Sequence, residues 1–267
     1  MQKLVMSGAC GRMGRMILKL AAQDRSFKIH GALEASNNEL INTDAGYLFG
    51  SQALGVSISD DAPSVLKKAD VLIDFSHFSA LPKLLQAAVK TSTPCVIGTT
   101  NIDRPMLNLV KKASQKIPIV QSPNMSVGVN LLFRLAELTS QALHEGYDIE
   151  IAETHHKMKK DAPSGTALQL LEIIANARKK NLKKDVVYGR QGEIGARPKG
   201  QIGMSALRGG DVVGDHTVYY LGDGERIELT HRASSREAFA RGALLAAKYV
   251  AKRKSGLYNM LQVLTLQ

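Results

Sequence analysis

The sequence predicts an α/β fold in which a domain with a parallel sheet is joined to an α+β domain with a mixed or antiparallel sheet. Two observations lead to this prediction. Over the first 125 residues, short apolar runs alternate with helical patterns, and after residue 147 longer strands of alternating polarity follow. At 267 residues and 44% hydrophobic, the chain is long enough to bury a separate core in each domain.

Five short apolar runs are predicted to form the strands of the first domain, at residues 3–7, 28–34, 71–75, 94–98 and 117–121. The helices between them have recognisable starts. Ser79 is predicted to cap one helix, and Asp103 with Pro105 is predicted to open another over residues 106–116. Because a helix follows each strand, neighbouring strands are expected to run parallel.

The alternation stops at residues 122–124, where we place the domain boundary. Ser126 is predicted to begin a long helix that ends at Gly146 and has Leu131, Leu135, Leu138 and Ala142 on its apolar face. Later strands are predicted at residues 148–154, 216–221 and 226–233, with a glycine-rich stretch at 189–210 and a helix at about 164–180.

A capping box at Ser234-Ser235-Arg236-Glu237 predicts one further helix. We expect this C-terminal helix, at about residues 235–267, to pack back on the first domain. The predicted domains are therefore residues 1–125, completed by this helix, and residues 126–234.

The net charge of +11 raises the question of nucleic-acid binding, which needs basic residues gathered on one face. The densest basic clusters, at residues 179–184 and 252–254, instead follow amphipathic helices and contain no aromatic residue. We expect no nucleic-acid partner. The positive excess suits an anionic small substrate and a phosphate-bearing cofactor.

The N-terminus runs directly into an apolar strand, and no apolar run approaches the roughly 20 residues needed to span a bilayer. The two cysteines, Cys10 and Cys95, are too few for a disulfide framework and fit a reducing compartment. We expect a cytoplasmic protein with no membrane partner.

A glycine loop, Gly8-Ala9-Cys10-Gly11-Arg12-Met13-Gly14, lies between the first strand and a helix. Such a loop forms an anion site, because backbone N–H groups and the helix dipole point at a diphosphate. Its spacing is GxxGxxG, with Cys10 where the usual GxGxxG pattern has glycine. Glu34 follows Gly14 by 20 residues, where these folds place the carboxylate that holds the adenosine ribose. A Rossmann-like dinucleotide-binding domain is the favoured interpretation, and a simple turn with a surface glutamate is the alternative.

Two later strand ends are predicted to line the nicotinamide half of the cofactor: Gly98-Thr99-Thr100 and Ser122-Pro123-Asn124-Met125. Each is also compatible with an ordinary loop. The cofactor is expected to be NADH and/or NADPH. Because Ala35 rather than a cation follows Glu34, we predict that NADH is used at least as well as NADPH, and Arg12 leaves dual use open.

The segment from Glu153 to Thr166 combines two histidines, three lysines and a helix start that contains glycine. Histidine or lysine can protonate the negative charge that hydride transfer leaves on an acceptor. Ser164, Gly165 and Thr166 can donate hydrogen bonds to substrate carboxylates at the helix N-terminus. A surface loop is the alternative. A zinc site is disfavoured because adjacent histidines usually point apart and no third ligand follows at a typical spacing, so no metal is predicted.

At this point the sequence resembles the 4-hydroxy-tetrahydrodipicolinate reductase family, also called dihydrodipicolinate reductases, of bacterial diaminopimelate and lysine biosynthesis. The resemblance runs nearly end to end and is most specific between His155 and Thr166. It rests on the segments 5–14, 74–76, 96–100, 124–130, 153–167, 208–210 and 230–236.

The resemblance implies reduction of a cyclic hydroxylated dicarboxylate, with loss of water, to tetrahydrodipicolinate by NADH or NADPH. It implies that His155 and Lys159 transfer protons and that His156, Gly165 and Thr166 bind the carboxylates. It also implies a homotetramer assembled through the second domain, which would bind substrate and form the oligomer. The implied cofactor residues are Gly8, Ala9, Cys10, Gly11, Arg12, Met13, Glu34, Gly98, Thr99, Thr100, Ser122, Pro123, Asn124 and Met125.

Two rival functions remain. One is a different two-domain NAD(P)-dependent dehydrogenase, such as an aldehyde dehydrogenase that works through a thioester. That chemistry needs a cysteine nucleophile in the substrate domain, and both cysteines lie in the first domain. A non-catalytic nucleotide-sensing protein with the same fold would have no use for His155 or Lys159.

Overall fold

The computed structural model describes residues 1–143 and 145–266. The chain divides into two compact units, one made of Met1–Val127 with Arg236–Gln267 and the other of Gly128–Ser235. No described helix has both the length and the apolar character needed to cross a bilayer.

The first unit alternates strands and helices and takes its last elements from the end of the chain. Its elements are β1 (Gln2–Ser7), α1 (Arg12–Gln23), β2 (Phe27–Leu33), β3 (Ile58–Ser59), α2 (Ala62–Val65), β4 (Val71–Asp74), α3 (Leu81–Lys90), β5 (Cys95–Ile97), α4 (Arg104–Ser114), β6 (Pro118–Gln121), α7 (Glu237–Val250), β12 (Gly256–Tyr258) and α8 (Met260–Val263).

All pairings in the seven-stranded sheet of this unit are parallel, and its strand order is β12-β6-β5-β4-β1-β2-β3. Residues of α1 and α7 pack on one face, and residues of α3 and α4 pack on the other. Burial on both faces explains why these strands read as continuous apolar runs. The order from β3 to β6 is that of a dinucleotide-binding fold, with the switch point between β1 and β4.

The second unit contains β7 (Asp148–His155), α6 (Gly165–Ala177), β8 (Val186–Tyr188), β9 (Ile202–Arg208), β10 (Gly214–Gly222) and β11 (Glu225–Ala233), and most of α5 (Val127–Ala142). Its sheet has the order β11-β10-β7-β9-β8. Strand β10 is antiparallel to both its neighbours, whereas β9 is parallel to β7 and β8. The predicted fold class, a parallel sheet plus a mixed one, is confirmed.

The predicted apolar face of α5 is wrong. Leu131, Leu135 and Leu138 are each 40% or more exposed, whereas Leu132 and Phe133 are buried against the sheet. The helix carries two apolar stripes, and periodicity alone does not tell which one faces the core. Its predicted end also differs, because the helix ends at Ala142 rather than at Gly146.

Several helix boundaries need correction. Asp103 caps α4 as predicted, accepting a hydrogen bond from the Met106 amide. Ser79 instead lies in a short 3₁₀ turn before α3. Helix α7 begins at Glu237 with Arg236 at its N-cap and no side-chain cap hydrogen bond, so the predicted capping box is wrong.

The predicted single C-terminal helix is also wrong. Helix α7 ends at Val250, and Gly256–Tyr258 form an edge strand paired with β6. A capping box does occur in this region, between Asn259 and Gln262 at the start of α8. A strand of three residues is too short to show a periodicity in the sequence.

Candidate active site

The glycine loop has the geometry of an anion cradle. Gly8 has a φ of +75°, and a Cβ atom there would lie 2.6 Å from the carbonyl oxygen of Phe75, so a side chain does not fit. Gly11 is the N-cap of α1 but supplies no side-chain cap, and the first turn has no acidic residue. The N–H groups of this turn are therefore suited to a diphosphate, and Ala9, Arg12 and Met13 lie in the same loop and turn.

Glu34 lies beside the same loop, directly after β2. Its Oε2 atom accepts a hydrogen bond of 2.9 Å from the Cys10 amide, and its Oε1 atom accepts one of 3.0 Å from the Ala35 amide. A cleft of about 500 Å³ runs past Gly8, Glu34 and Ala35, with Lys83 also in its wall. Lys83 was not predicted, because it follows Glu34 by 49 positions and only the fold brings it to this cleft.

Cys10 is compatible with its place in the loop. Burial and the negative charge of Glu34 raise the pKa of the Cys10 thiol to about 11. The thiol is therefore neutral near pH 7 and unsuited to nucleophilic chemistry. Its backbone amide donates a hydrogen bond to Glu34, and a side-chain contact with the same carboxylate helps to raise the pKa of the thiol.

The hydroxyl groups expected to hold the nicotinamide half are used within the protein. Thr99 donates a hydrogen bond of 2.7 Å to the buried carboxylate of Asp74, and Ser122 donates one of 2.8 Å to the carbonyl oxygen of Asn124. The Asn124 side chain in turn accepts from the Ser126 amide at 2.8 Å. These contacts fix the shape of the two loops. Thr100 and Pro123 are exposed, whereas Gly98 and Met125 are buried. The backbones of both loops remain candidates for cofactor contacts.

In the second unit, a buried carboxylate organises the histidine and lysine segment. Glu153 is 1% exposed and accepts from His155 Nδ1 at 2.5 Å and from the Ser164 amide at 3.0 Å. Two guanidinium nitrogens of Arg208 donate to its oxygens, each at 2.9 Å. One carboxylate thus joins the histidine to the start of α6.

His155 is held in a largely buried position with charged neighbours. Burial lowers its pKa, and the positive charges of Lys159 and Arg208 act in the same direction, whereas Glu153 opposes them. The ring also packs edge-on against His216, with centroids 5.2 Å apart. A histidine in such surroundings can exchange a proton near neutral pH.

Lys159 forms an ion pair that was not predicted. Its Nζ atom donates to both carboxylate oxygens of Asp161, each at 2.9 Å. Arg208 donates to the carbonyl oxygen of Asp161 at 2.7 Å. Asp161 therefore holds Lys159 near His155, on whose pKa the charge of Lys159 acts.

Ser164, predicted to contact substrate, also makes several contacts within the protein. It is buried, its amide donates to Glu153, and its hydroxyl accepts from the Ala167 amide and bonds to His216 Nε2 at 3.0 Å. Both groups of Ser164 therefore have partners within the protein. Gly165 is exposed at the first turn of α6, where backbone N–H groups are oriented outward from the helix start.

The backbone after β7 is fixed by the loop between β9 and β10. The amides of His156 and Lys157 donate to the carbonyl oxygens of Val212 and Gly210, and the Gly209 amide donates to His155. His156 and Thr166 are both half-buried, on either side of Ser164 in the same segment. The structure therefore brings together His155, Lys159 and the start of α6.

Arg208 and His216 are part of this site but were not predicted as such. Arg208 belongs to one of the segments on which the family resemblance rests, so a signal was available. His216 lies on β10, and only its pairing with Glu153 of β7 shows that it belongs here. Among residues 1–143 and 145–266, no cluster of three or more His, Cys, Asp or Glu side chains is arranged to hold a metal ion.

Comparisons with known proteins give the same assignment over the whole chain. A family model described as Dihydrodipicolinate reductase, N-terminus, matches residues 2–125, and one described as Dihydrodipicolinate reductase, C-terminus, matches residues 128–264. The chain is 47% identical over 264 residues to the 4-hydroxy-tetrahydrodipicolinate reductase of Nitrosomonas europaea, covering 99% of this chain and 98% of the relative. It is 48% identical over 262 residues to that of Magnetococcus marinus, covering 98% of each.

A solved structure supports the fold. The dipicolinate-bound dihydrodipicolinate reductase of Paenisporosarcina sp. TG-14 superposes with a TM-score of 0.79, at 20% identity and 98% coverage of both chains. Two family models that together span nearly the whole chain, and full-length relatives at nearly half identity, show that this chain belongs to the dihydrodipicolinate reductase family.

Proposed function

We propose that this chain reduces 4-hydroxy-tetrahydrodipicolinate to tetrahydrodipicolinate with NADH or NADPH. The observation that carries the proposal is that one buried glutamate joins His155 to the start of α6, with Lys159 close enough to act on the pKa of His155. The names of the full-length relatives agree with it.

The first unit is suited to hold the dinucleotide. The loop from Gly8 to Met13 would bind the diphosphate through its N–H groups, and Glu34 would bind the adenosine ribose. The loops at residues 98–100 and 122–125 would contact the nicotinamide half mainly through their backbones, since Thr99 and Ser122 use their hydroxyls internally. The reduced cofactor supplies a hydride when bound.

His155 and Lys159 would transfer the protons that the reaction requires. The reaction consumes one hydride and one proton and releases one water, so an acid is required near the reacting carbon and nitrogen atoms. His155 is hydrogen-bonded to Glu153 through Nδ1, which leaves Nε2 for exchange with substrate. Lys159, held by Asp161, would deliver the proton from its ammonium group.

The substrate carboxylates would bind to His156, Gly165 and Thr166. The start of α6 offers N–H groups and the positive end of a helix dipole, both of which favour an anion. A relative of the same fold is described as binding dipicolinate, a planar dicarboxylate, which supports a dicarboxylate ligand for this chain.

We also propose a homotetramer that works in the cytoplasm. Helices α5 and α6 cover only one face of the five-stranded sheet, and the other face exposes Leu207 and Leu221. Both cysteines are free thiols, as a reducing compartment requires. Light scattering should give about four times the chain mass of 28.9 kDa, and a monomer would refute this part.

The decisive experiment is to follow oxidation of NADH and of NADPH by pure protein with freshly generated substrate. We expect turnover with both cofactors and formation of tetrahydrodipicolinate. Tight cofactor binding without turnover at saturating substrate would instead favour a nucleotide sensor. Oxidation of an aldehyde without the cyclic substrate would favour a different dehydrogenase.

A further inference from the structure

Glu153 occupies a position that none of the proposed steps requires, yet it touches both halves of the substrate site. It precedes His155 by two residues on β7, so both side chains point to the same face of the strand. That face is covered, and Glu153 is buried. A carboxylate is costly to bury unless its oxygens are paired, so its partners are informative.

The partners of Glu153 are four N–H donors. Its Oε2 atom accepts hydrogen bonds from Arg208 Nη1 and His155 Nδ1. Its Oε1 atom accepts hydrogen bonds from Arg208 Nη2 and the Ser164 amide. Burial acts to raise the pKa of Glu153, but the hydrogen bonds from Arg208, His155 and Ser164 together hold it below its ordinary value. The carboxylate is therefore ionised at neutral pH and accepts hydrogen bonds only.

An ionised carboxylate beside Nδ1 selects the tautomer of His155. The proton of the neutral ring must lie on Nδ1, and Nε2 then carries the lone pair. The Nε2 side is kept clear by Gly214, where a Cβ atom would lie 2.9 Å from Nε2. Arg208 fixes the carboxylate bidentately, a geometry that restricts its rotation.

We propose that Glu153, clamped by Arg208, is a positioning residue that keeps His155 in its Nδ1–H form and ties the start of α6 to the same carboxylate. The proton-transfer atom and the carboxylate cradle are thereby fixed to one buried anchor. This inference rests on the proposed function for its kinetic consequence but not for the tautomer itself.

The charged and titratable groups that face His155 come from three strands and one loop. They are Glu153 of β7, Arg208 of β9, His216 of β10 and Lys159 of the loop after β7. Only Glu153 favours the protonated ring. Removing its charge is therefore expected to lower the pKa of His155 further, not to raise it.

The test compares Glu153→Gln with Glu150→Gln. Glu150 lies on the same strand and is also paired with arginines, Arg190 and Arg197, but makes no hydrogen bond to the site residues described above. Nitrogen-15 NMR of the histidine rings, with His155→Asn used for assignment, reports the tautomer and the pKa directly. Steady-state kinetics then give kcat, KM and the pH profile.

We expect the wild-type protein and Glu150→Gln to show neutral His155 as the Nδ1–H tautomer. Glu153→Gln should show a lower pKa, a mixed tautomer, and a kcat at least about tenfold lower with unchanged dinucleotide affinity. An Nε2–H tautomer in the wild-type protein would overturn the proposal even if Glu153→Gln does not fold. A folded Glu153→Gln with unchanged tautomer and pH profile would overturn it too.

The NMR readout also separates the two proposals. If the protein shows the Nδ1–H tautomer and its loss in Glu153→Gln but no turnover of the cyclic substrate, the proposed function fails and the positioning of His155 stands. If turnover of the cyclic substrate is normal but neutral His155 is the Nε2–H tautomer, the positioning role of Glu153 fails and the proposed function stands.

Discussion

Gly242 of α7 lies directly against Met125, so closely that a Cβ atom at position 242 would be 1.7 Å from the Met125 carbonyl oxygen. The helix thus supports the loop that is proposed to contact the nicotinamide half of the cofactor. The neighbouring alanines of α7, among them Ala243 and Ala246, are fully buried against the parallel sheet.

Gly242→Ala is therefore expected to damage cofactor binding by displacing the backbone of Met125, although no side chain proposed to bind the cofactor is itself replaced. The added methyl group must push Met125 or the helix, which typically costs about 1–3 kcal/mol of stability. We expect a lower Tm and a raised KM for the dinucleotide. Gly146→Ala is the matched control, because a Cβ at Gly146 meets open space. Equal Tm and KM values for the two variants would contradict the prediction.

Replacing Glu34 should change the cofactor preference. Glu34→Gln keeps the size of the side chain but removes the charge that would repel a 2′-phosphate and weakens the acceptor for ribose hydroxyls. We expect kcat/KM for NADH to fall roughly tenfold, with a smaller fall or a gain for NADPH. Glu39→Gln, an exposed neighbour, serves as control. The idea fails if the NADH to NADPH ratio is the same in both variants.

Lys159→Ala should act on turnover rather than on cofactor binding. Loss of a general acid typically lowers kcat by about 10²-fold or more. The dinucleotide Kd, measured by fluorescence, should barely move. Lys160→Ala removes the same charge from an exposed neighbouring residue and should keep most of the activity. A Lys159→Ala enzyme with normal kcat would remove this residue from the mechanism.

His216 should make the fold sensitive to acid. Burial lowers its pKa from an ordinary value of 6.5 to about 4, so the unfolded chain binds the proton more readily than the folded chain does. Its contribution to stability is complete above pH 6.5 and is lost as the pH falls toward 4, at up to about 1.4 kcal/mol per pH unit.

The measurement is urea unfolding of wild-type protein and His216→Asn at several pH values from about 4.5 to 7, the range in which His216 is expected to affect stability. The free energy of unfolding should fall less steeply with decreasing pH in the variant. His30→Asn, at a half-buried position on β2, controls for loss of a histidine as such. Parallel curves for all three proteins would show that His216 does not titrate in this way.

The sequence was most informative where chemistry depends on neighbouring residues. Gly8 and Glu34 could be predicted as cofactor residues because a glycine turn and an acidic strand end recur at a fixed spacing. His155 and Lys159 could be predicted as proton-transfer residues because such groups cluster within one segment. Asp103 was recognised as a cap because the capping contact is local.

It was least informative where the outcome depends on contacts between distant strands. The contacts of Ser164 with Glu153 and His216, 11 and 52 positions away, could not be predicted from the sequence. Leu131 and Leu132 are equally apolar, and only the position of the sheet decides which one is buried. The pairing of Gly256–Tyr258 with β6 could not be predicted, because a strand of three residues shows no periodicity in the sequence.

The late position of α7 and β12 in the chain affects how the protein can be made. A ribosome that has synthesised residues 1–127 has produced a parallel sheet with an open edge at β6 and an apolar face that still lacks α7. The entire second unit emerges before these missing parts do. The dinucleotide-binding unit therefore cannot complete its sheet and core until the end of the chain has been made. Shielding of that edge and face by chaperones would matter more than for a unit that is contiguous in sequence.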